Sequence, residues 1–127
     1  MRLGASAIIL KDKKILLVKR SKDSDTFPEK WACPGGRDEP GESPEEVVIR
    51  EIKEEVNLEF TPSKLFKIWV YKGLKRYRFL GSFKGQVKLQ KEELTEWNWF
   101  SYDEAIKLDL GFDYRELLER LHEEEFI

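Results

Sequence analysis

The chain has 127 residues, 40% of them hydrophobic, enough for one domain with its own core and too apolar for a disordered segment. Its 23 Lys and Arg against 25 Asp and Glu leave a formal net charge of −2, so no long nucleic acid is expected as a partner. A small phosphate ligand stays open, because a bound metal supplies local positive charge. The longest fully apolar run, Ala7 to Leu10, is far short of a membrane span, and no membrane partner is expected. The first residues lack the basic–apolar–small pattern of a secretory signal. Cys33 stands alone, which excludes an intrachain disulfide and makes a reducing cytoplasm the expected location. A homodimer is compatible with all of this.

No repeat, linker or composition break interrupts the chain, so residues 1–127 read as one domain. Residues 3–10 read as a buried strand, Lys11–Lys14 as a polar turn and Ile15–Val18 as the second arm of a hairpin. Residues 21–30 are loop. Trp31-Ala32-Cys33 is a short strand ended by Pro34-Gly35-Gly36. A helix then begins, with Ser43 as N-cap, Pro44 at its first position and Glu46 closing a capping box. It runs to about Val56, where Asn57 takes the left-handed cap. Leu65–Tyr71 and Tyr77–Phe83 read as strands joined around Gly73, and Trp97–Phe100 as a further strand. A short helix over Tyr102–Lys107 and a longer one over Asp113–Glu124 complete an α/β order.

The chemistry-bearing segment is Gly36–Leu58. On a helical wheel with Glu51 at zero, Glu54 and Glu55 lie on the same side one turn on. Val48, Ile49, Ile52 and Val56 form an adjoining apolar arc for packing. Three neighbouring carboxylates repel, and a divalent cation among them relieves that repulsion. Their hard oxygens suit Mg²⁺, Mn²⁺ or Ca²⁺. The plain alternative is a solvated acidic face.

Gly36, Glu42, Arg50-Glu51-Ile52, Glu54-Glu55 and Leu58 match the spacing G-x5-E-x7-R-E-U-x-E-E-x-G-U, with U a bulky aliphatic, and so resemble the Nudix box. Trp31–Gly36 before the box and Glu96–Ala105 after it are similar to that family's flanks. One position departs: Asn57 stands where the family has Gly, and Asn tolerates positive φ. The resemblance implies an α/β/α sandwich with a central mixed sheet and a loop–helix–loop metal site. It implies Mg²⁺-dependent hydrolysis, with Mn²⁺ as a substitute, of a phosphoanhydride bond in a nucleoside diphosphate linked to another group. Glu51, Glu54, Glu55 and the Gly36 carbonyl are then the metal ligands, and Glu42 with Arg50 a salt bridge internal to the box. A general base is one of these glutamates or a loop glutamate, Glu96 first and Glu93 second. Attack by water fits, since the box offers no covalent nucleophile.

A small nucleotide is the implied substrate. Chain size favours a MutT-like (d)NTP pyrophosphohydrolase. ADP-sugar and dinucleoside polyphosphate hydrolases are the alternatives, although Gly73 and Leu74 stand where some of those enzymes carry a Pro or a Tyr. A non-catalytic nucleotide-binding module is the reading from another class. Arg20, at the end of the second strand, resembles a phosphate-contacting residue. Arg76 and Arg78 share one strand face and either line a phosphate pocket or face solvent. The aromatic residues, His122 and Cys33 read as structural.

Charged residues are abundant and Asn, Gln, Cys and Met are few, a composition that leans towards heat adaptation. A melting temperature above about 65 °C is expected. Calorimetry giving a midpoint of about 45–65 °C overturns that reading.

Overall fold

The computed structural model describes residues 2–90 and 92–127. Among these described residues there are eight strands and three helices in two compact units, residues 2–9 with 34–90 and residues 10–33 with 92–127. The strands are β1 (Leu3–Ile8), β2 (Leu10–Lys11), β3 (Lys14–Arg20), β4 (Trp31–Ala32), β5 (Gly35–Arg37), β6 (Glu59–Tyr71), β7 (Leu74–Lys84) and β8 (Leu94–Phe100). The helices are α1 (Pro44–Val56), α2 (Tyr102–Ala105) and α3 (Tyr114–Glu123).

The first unit is built on a mixed sheet in the order β5-β1-β7-β6. β1 runs parallel to β7 and antiparallel to β5, and β6 pairs antiparallel with β7 along its length. β1 is buried from Gly4 onward, which its small residues Gly4, Ala5, Ser6 and Ala7 permit between close neighbours. The second unit has an antiparallel sheet centred on β3, which pairs with β2 at its start, β4 near its end and β8 along most of its length.

Helix α1 forms where its caps require. Ser43 Oγ accepts from the Glu46 amide, and Glu46 Oε1 accepts from the Ser43 amide. At the other end Asn57 sits at φ 63°, ψ 27°, and its amide donates to the Lys53 carbonyl. The amides of Lys88 and Gln90 and the Gln90 side chain take up the Val56, Glu55 and Lys53 carbonyls. The helix end is thus stitched to the segment following β7.

Several expectations need correction. The packing arc of α1 contains Val47, Val48, Ile52 and Val56, whereas Ile49 is 45% exposed. The inward face is centred between Glu51 and Ile52, so Ile49 falls on its far edge. Residues 3–10 form two strands, β1 and β2, on different sheets, with the break at Ile9. Pro34-Gly35-Gly36 is not simply a strand-ending turn, because Gly35 and Gly36 open β5 beside β1. A Cβ at Gly35 would fall 2.2 Å from the Ala5 carbonyl oxygen, so only glycine allows that backbone approach. β6 starts at Glu59 and passes through Pro62, where its register with β7 shifts. It is an edge strand, where a missing N–H is tolerated.

The left-handed cap carries a clear expectation. Asn57→Gly leaves stability unchanged or raises it, whereas Asn57→Val lowers it by about 1–2 kcal/mol. Urea denaturation of the three proteins checks this, and an unaffected Val variant overturns the role given to the cap.

Candidate functional site

The Arg50 guanidinium organises the acidic end of the first unit. Its Nε and Nη2 donate to the two oxygens of Glu42 at 2.7 and 2.8 Å, a bidentate pair across the loop that precedes α1. Nη2 also donates to the Arg37 carbonyl at 3.0 Å, tying the helix to β5. Nη1 donates to Glu51 Oε1 at 2.9 Å and Glu54 Oε2 at 3.0 Å. Glu42 further accepts from the Glu39 amide at 2.7 Å. These contacts, led by the hydrogen bond from Arg50, hold the Glu42 carboxyl down to about 2, and the Glu42 bond in turn raises the Arg50 pKa.

Glu51 and Glu55 do not lie beside the packing face of α1 but within it, 6% and 5% exposed; Glu54 is half-buried at its edge. Glu55 Oε1 accepts from the Gly35 amide at 2.9 Å. A Cβ at Gly36 would fall 2.4 Å from the Glu51 carboxyl carbon, so the absent side chain is what lets this carboxylate lie against the β5 backbone. The sheet and helix therefore fix Glu51 and Glu55 through two successive glycines, one by its amide and one by its missing side chain. The sequence marked Gly36 for its carbonyl alone. The Gly-Gly pair was the available signal for the rest.

The donor set suits a hard divalent cation: carboxylates and a backbone carbonyl, with Glu51 and Glu55 buried. Among the described residues no three His, Cys, Asp or Glu side chains converge at metal-ligand spacing, and Arg50 Nη1 donates to both Glu51 and Glu54.

The other sequence-marked residues fall into distinct settings. In the second unit, Glu96 is exposed and lies 3.5 Å from Lys19 across the β3–β8 pair. Glu93 is exposed, and its carbonyl accepts from the Ser21 amide at 2.8 Å. Arg20 donates to the Thr26 carbonyl and hydroxyl at 2.9 and 3.0 Å, with its guanidinium 5.2 Å from the Phe112 ring centroid. In the first unit, Arg76 and Arg78 are 7% and 3% exposed, which overturns the solvent-facing alternative. Arg78 donates to Ser6 Oγ at 3.1 Å, Arg76 to the Tyr71 carbonyl at 3.1 Å, and Arg76 lies 5.5 Å from the Trp69 ring centroid. Ser6 was not singled out by the sequence. Cys33 is buried, and His122 stacks on Tyr102 and meets the Ile127 carbonyl, both structural placements.

The depressed Glu42 pKa fixes the sign of a pH dependence. A carboxyl lowered from 4.5 to about 2 contributes stability above pH 4.5, and this is lost as pH falls through about 2. Carboxyl-carbon NMR is expected to put the Glu42 midpoint near 2 and to return it towards 4.5 in Arg50→Ala. A midpoint near 4.5 in the unaltered protein overturns the bidentate pair.

Comparison with known proteins matches the NUDIX domain over residues 1–121. A Bacillus subtilis (strain 168) protein named "Putative 8-oxo-dGTP diphosphatase" is 40% identical over 104 residues, covering 77% of this chain and 65% of that protein. An ADP-ribose pyrophosphatase of Methanocaldococcus jannaschii is 50% identical over 56 residues, 44% of this chain and 32% of that one. The chain thus spans less than two thirds of the length of these curated relatives. Among solved structures, the MutT protein of Methanosarcina mazei Go1 aligns with a TM-score of 0.79 at 29% identity, over 96% of this chain and 93% of the other. A MutT NUDIX hydrolase from Burkholderia pseudomallei aligns at 0.82 and 26%, over 94% and 97%. With the domain match running through both units and the fold shared over nearly the whole chain, the protein belongs to the Nudix family.

Proposed function

We propose that the chain is a Mg²⁺-dependent hydrolase of a phosphoanhydride bond in a nucleoside diphosphate linked to another group, acting on (d)NTPs as a MutT-type pyrophosphohydrolase. The observation that carries this reading is the burial of Glu51 and Glu55 on the packing face of α1. Carboxylates there are costly for stability, where apolar side chains of similar size are not. Their presence answers a chemical need instead. Glu51, Glu54, Glu55 and the Gly36 carbonyl would hold the ion, which when bound neutralises phosphate charge and acidifies water. Mn²⁺ is the expected substitute.

The chain's own residues have separable tasks in this proposal. Arg50 and Glu42 set the pitch of the helix against its approach loop. The Gly35 amide fixes Glu55. Glu96, with Glu93 as second choice, takes the proton of the attacking water. Arg20, Arg76 and Arg78 meet the substrate phosphates. The B. subtilis relative, matched over 77% of this chain, supports a (d)NTP-type substrate; the ADP-ribose relative is matched over only 44%. All three box carboxylates are present, which counts against a non-catalytic module. The single, buried cysteine fits a cytoplasmic enzyme.

A product-release assay with Mg²⁺ over (d)NTPs, oxidised dNTPs, ADP-ribose and diadenosine polyphosphates tests the proposal. Turnover is expected with the (d)NTP class, to be abolished by EDTA, and to fall at least about 100-fold in Glu54→Gln and in Glu96→Gln. Unchanged turnover in Glu96→Gln moves the base to Glu93 or the box. No turnover across the panel, with nucleotide binding retained, overturns the hydrolase.

A further inference from the structure

The one polar side chain of β1 is Ser6, 2% exposed between Ala5 and Ala7. A hydroxyl in such a place is costly unless it is hydrogen-bonded, and an alanine would fit without that cost. Ser6 Oγ meets the requirement by accepting from Arg78 Nη1 at 3.1 Å. Residues 6 and 78 stand opposite each other in the parallel β1–β7 pair, so strand register sets the bond.

Arg78 is itself 3% exposed, a setting in which a guanidinium is expensive to keep charged. Two of the contacts that seat it are neutral. Ser6 offers a hydroxyl oxygen, and the Trp69 ring centroid lies 6.0 Å from Arg78 Cζ. Neither cancels the positive charge. A carboxylate at position 6 would hold the guanidinium more firmly and neutralise it. A hydroxyl holds it in place and leaves its charge to attract an anion.

The other flank of Ser6 meets the strand that sets the acidic site. Ser6 pairs with Gly35 across β1 and β5, and a Cβ at Gly35 would fall 2.6 Å from Ser6 Cα and 2.7 Å from Ser6 Cβ. The Gly35 amide is the donor to Glu55 Oε1. Arg78, Ser6, Gly35 and Glu55 thus form one path from guanidinium to buried carboxylate, every member on a strand or a helix.

We propose that Ser6 is a positioning residue for substrate binding: its hydroxyl aims Arg78 at the anionic substrate and keeps that guanidinium in register with the carboxylates of α1. This rests on the reading above that Arg78 meets the substrate phosphates.

The test is calorimetric titration with α,β-imido-dGTP and Mg²⁺, an analogue whose α–β bridge resists cleavage, beside steady-state turnover of dGTP. Ser6→Ala should bind the analogue about tenfold more weakly and raise KM by a similar factor, while kcat falls less than about threefold. Ser6→Cys, close in size but a weaker acceptor, should fall between the two proteins. Arg78→Met should lose at least as much affinity as Ser6→Ala. Adding Ser6→Ala to it should cost less than about twofold more, because no guanidinium is left to aim. A purely structural Ser6 would instead lower the melting temperature equally in both backgrounds and leave KM in place. Undiminished affinity in folded Ser6→Ala, an equal loss of affinity in both backgrounds, or no binding of the analogue by the unaltered protein overturns the proposal. The hydrolase reading fails separately: weakened binding in Ser6→Ala without any dGTP turnover removes that reading alone, and turnover with undiminished affinity in Ser6→Ala removes only the role of Ser6.

Discussion

One guanidinium holds the acidic site in order. Arg50 grips Glu42 across the approach loop, the Arg37 carbonyl on β5, and Glu51 and Glu54 on its own helix. Without it, several carboxylates would face one another in a partly buried place, where repulsion is least screened. A lysine could not replace it, since a single ammonium lacks the planar fork that spans both Glu42 oxygens while reaching the helix. Loop, strand and helix meet at this side chain. The position of the buried Glu51 depends on it from one side, and on the bare backbone of Gly36 from the other.

Local chemistry made much of the fold legible. The capping box at Ser43 and Glu46 and the left-handed Asn57 follow from side-chain chemistry acting over three or four residues, and both stand as read. The short helix after Ser101 starts with a second capping box of the same kind. What stayed hidden were relations between distant segments. The break at Ile9 separates two strands that join different sheets, and nothing in an unbroken apolar run marks such a division. β6 was read too short because Pro62 usually ends a strand, and only its place at a sheet edge removes that objection.

The acidic site was legible for a different reason. Its residues sit at fixed offsets in one loop–helix segment, so spacing alone brings Glu51, Glu54 and Glu55 to one side. Spacing did not tell which of them is buried. Wheel positions placed the carboxylates beside the apolar stripe, whereas the sheet covers an arc that includes Glu51 and Glu55. Burial depends on where the helix axis lies over the sheet, which the helix sequence does not encode. The same limit applies to Arg76 and Arg78. Alternation assigned them to one face, but which face is covered is a property of the assembled sheet.

The parallel pairing of β1 with β7 has a consequence for the order in which this protein is made. Ala5 lies beside Tyr77, so the central strand of the mixed sheet leaves the ribosome long before its partner exists. The β6–β7 hairpin closes through the short turn at Lys72 and Gly73, and such local closures form in microseconds. β1 must instead wait for residues far downstream and bear the larger loop-closure entropy. Because β5 is held on β1, and Glu55 and Glu51 are set by Gly35 and Gly36 of β5, the acidic centre rests on a sheet that is complete only once β7 has been made. A nascent chain halted before residue 74 would carry every box residue and still lack the strand on which their arrangement rests.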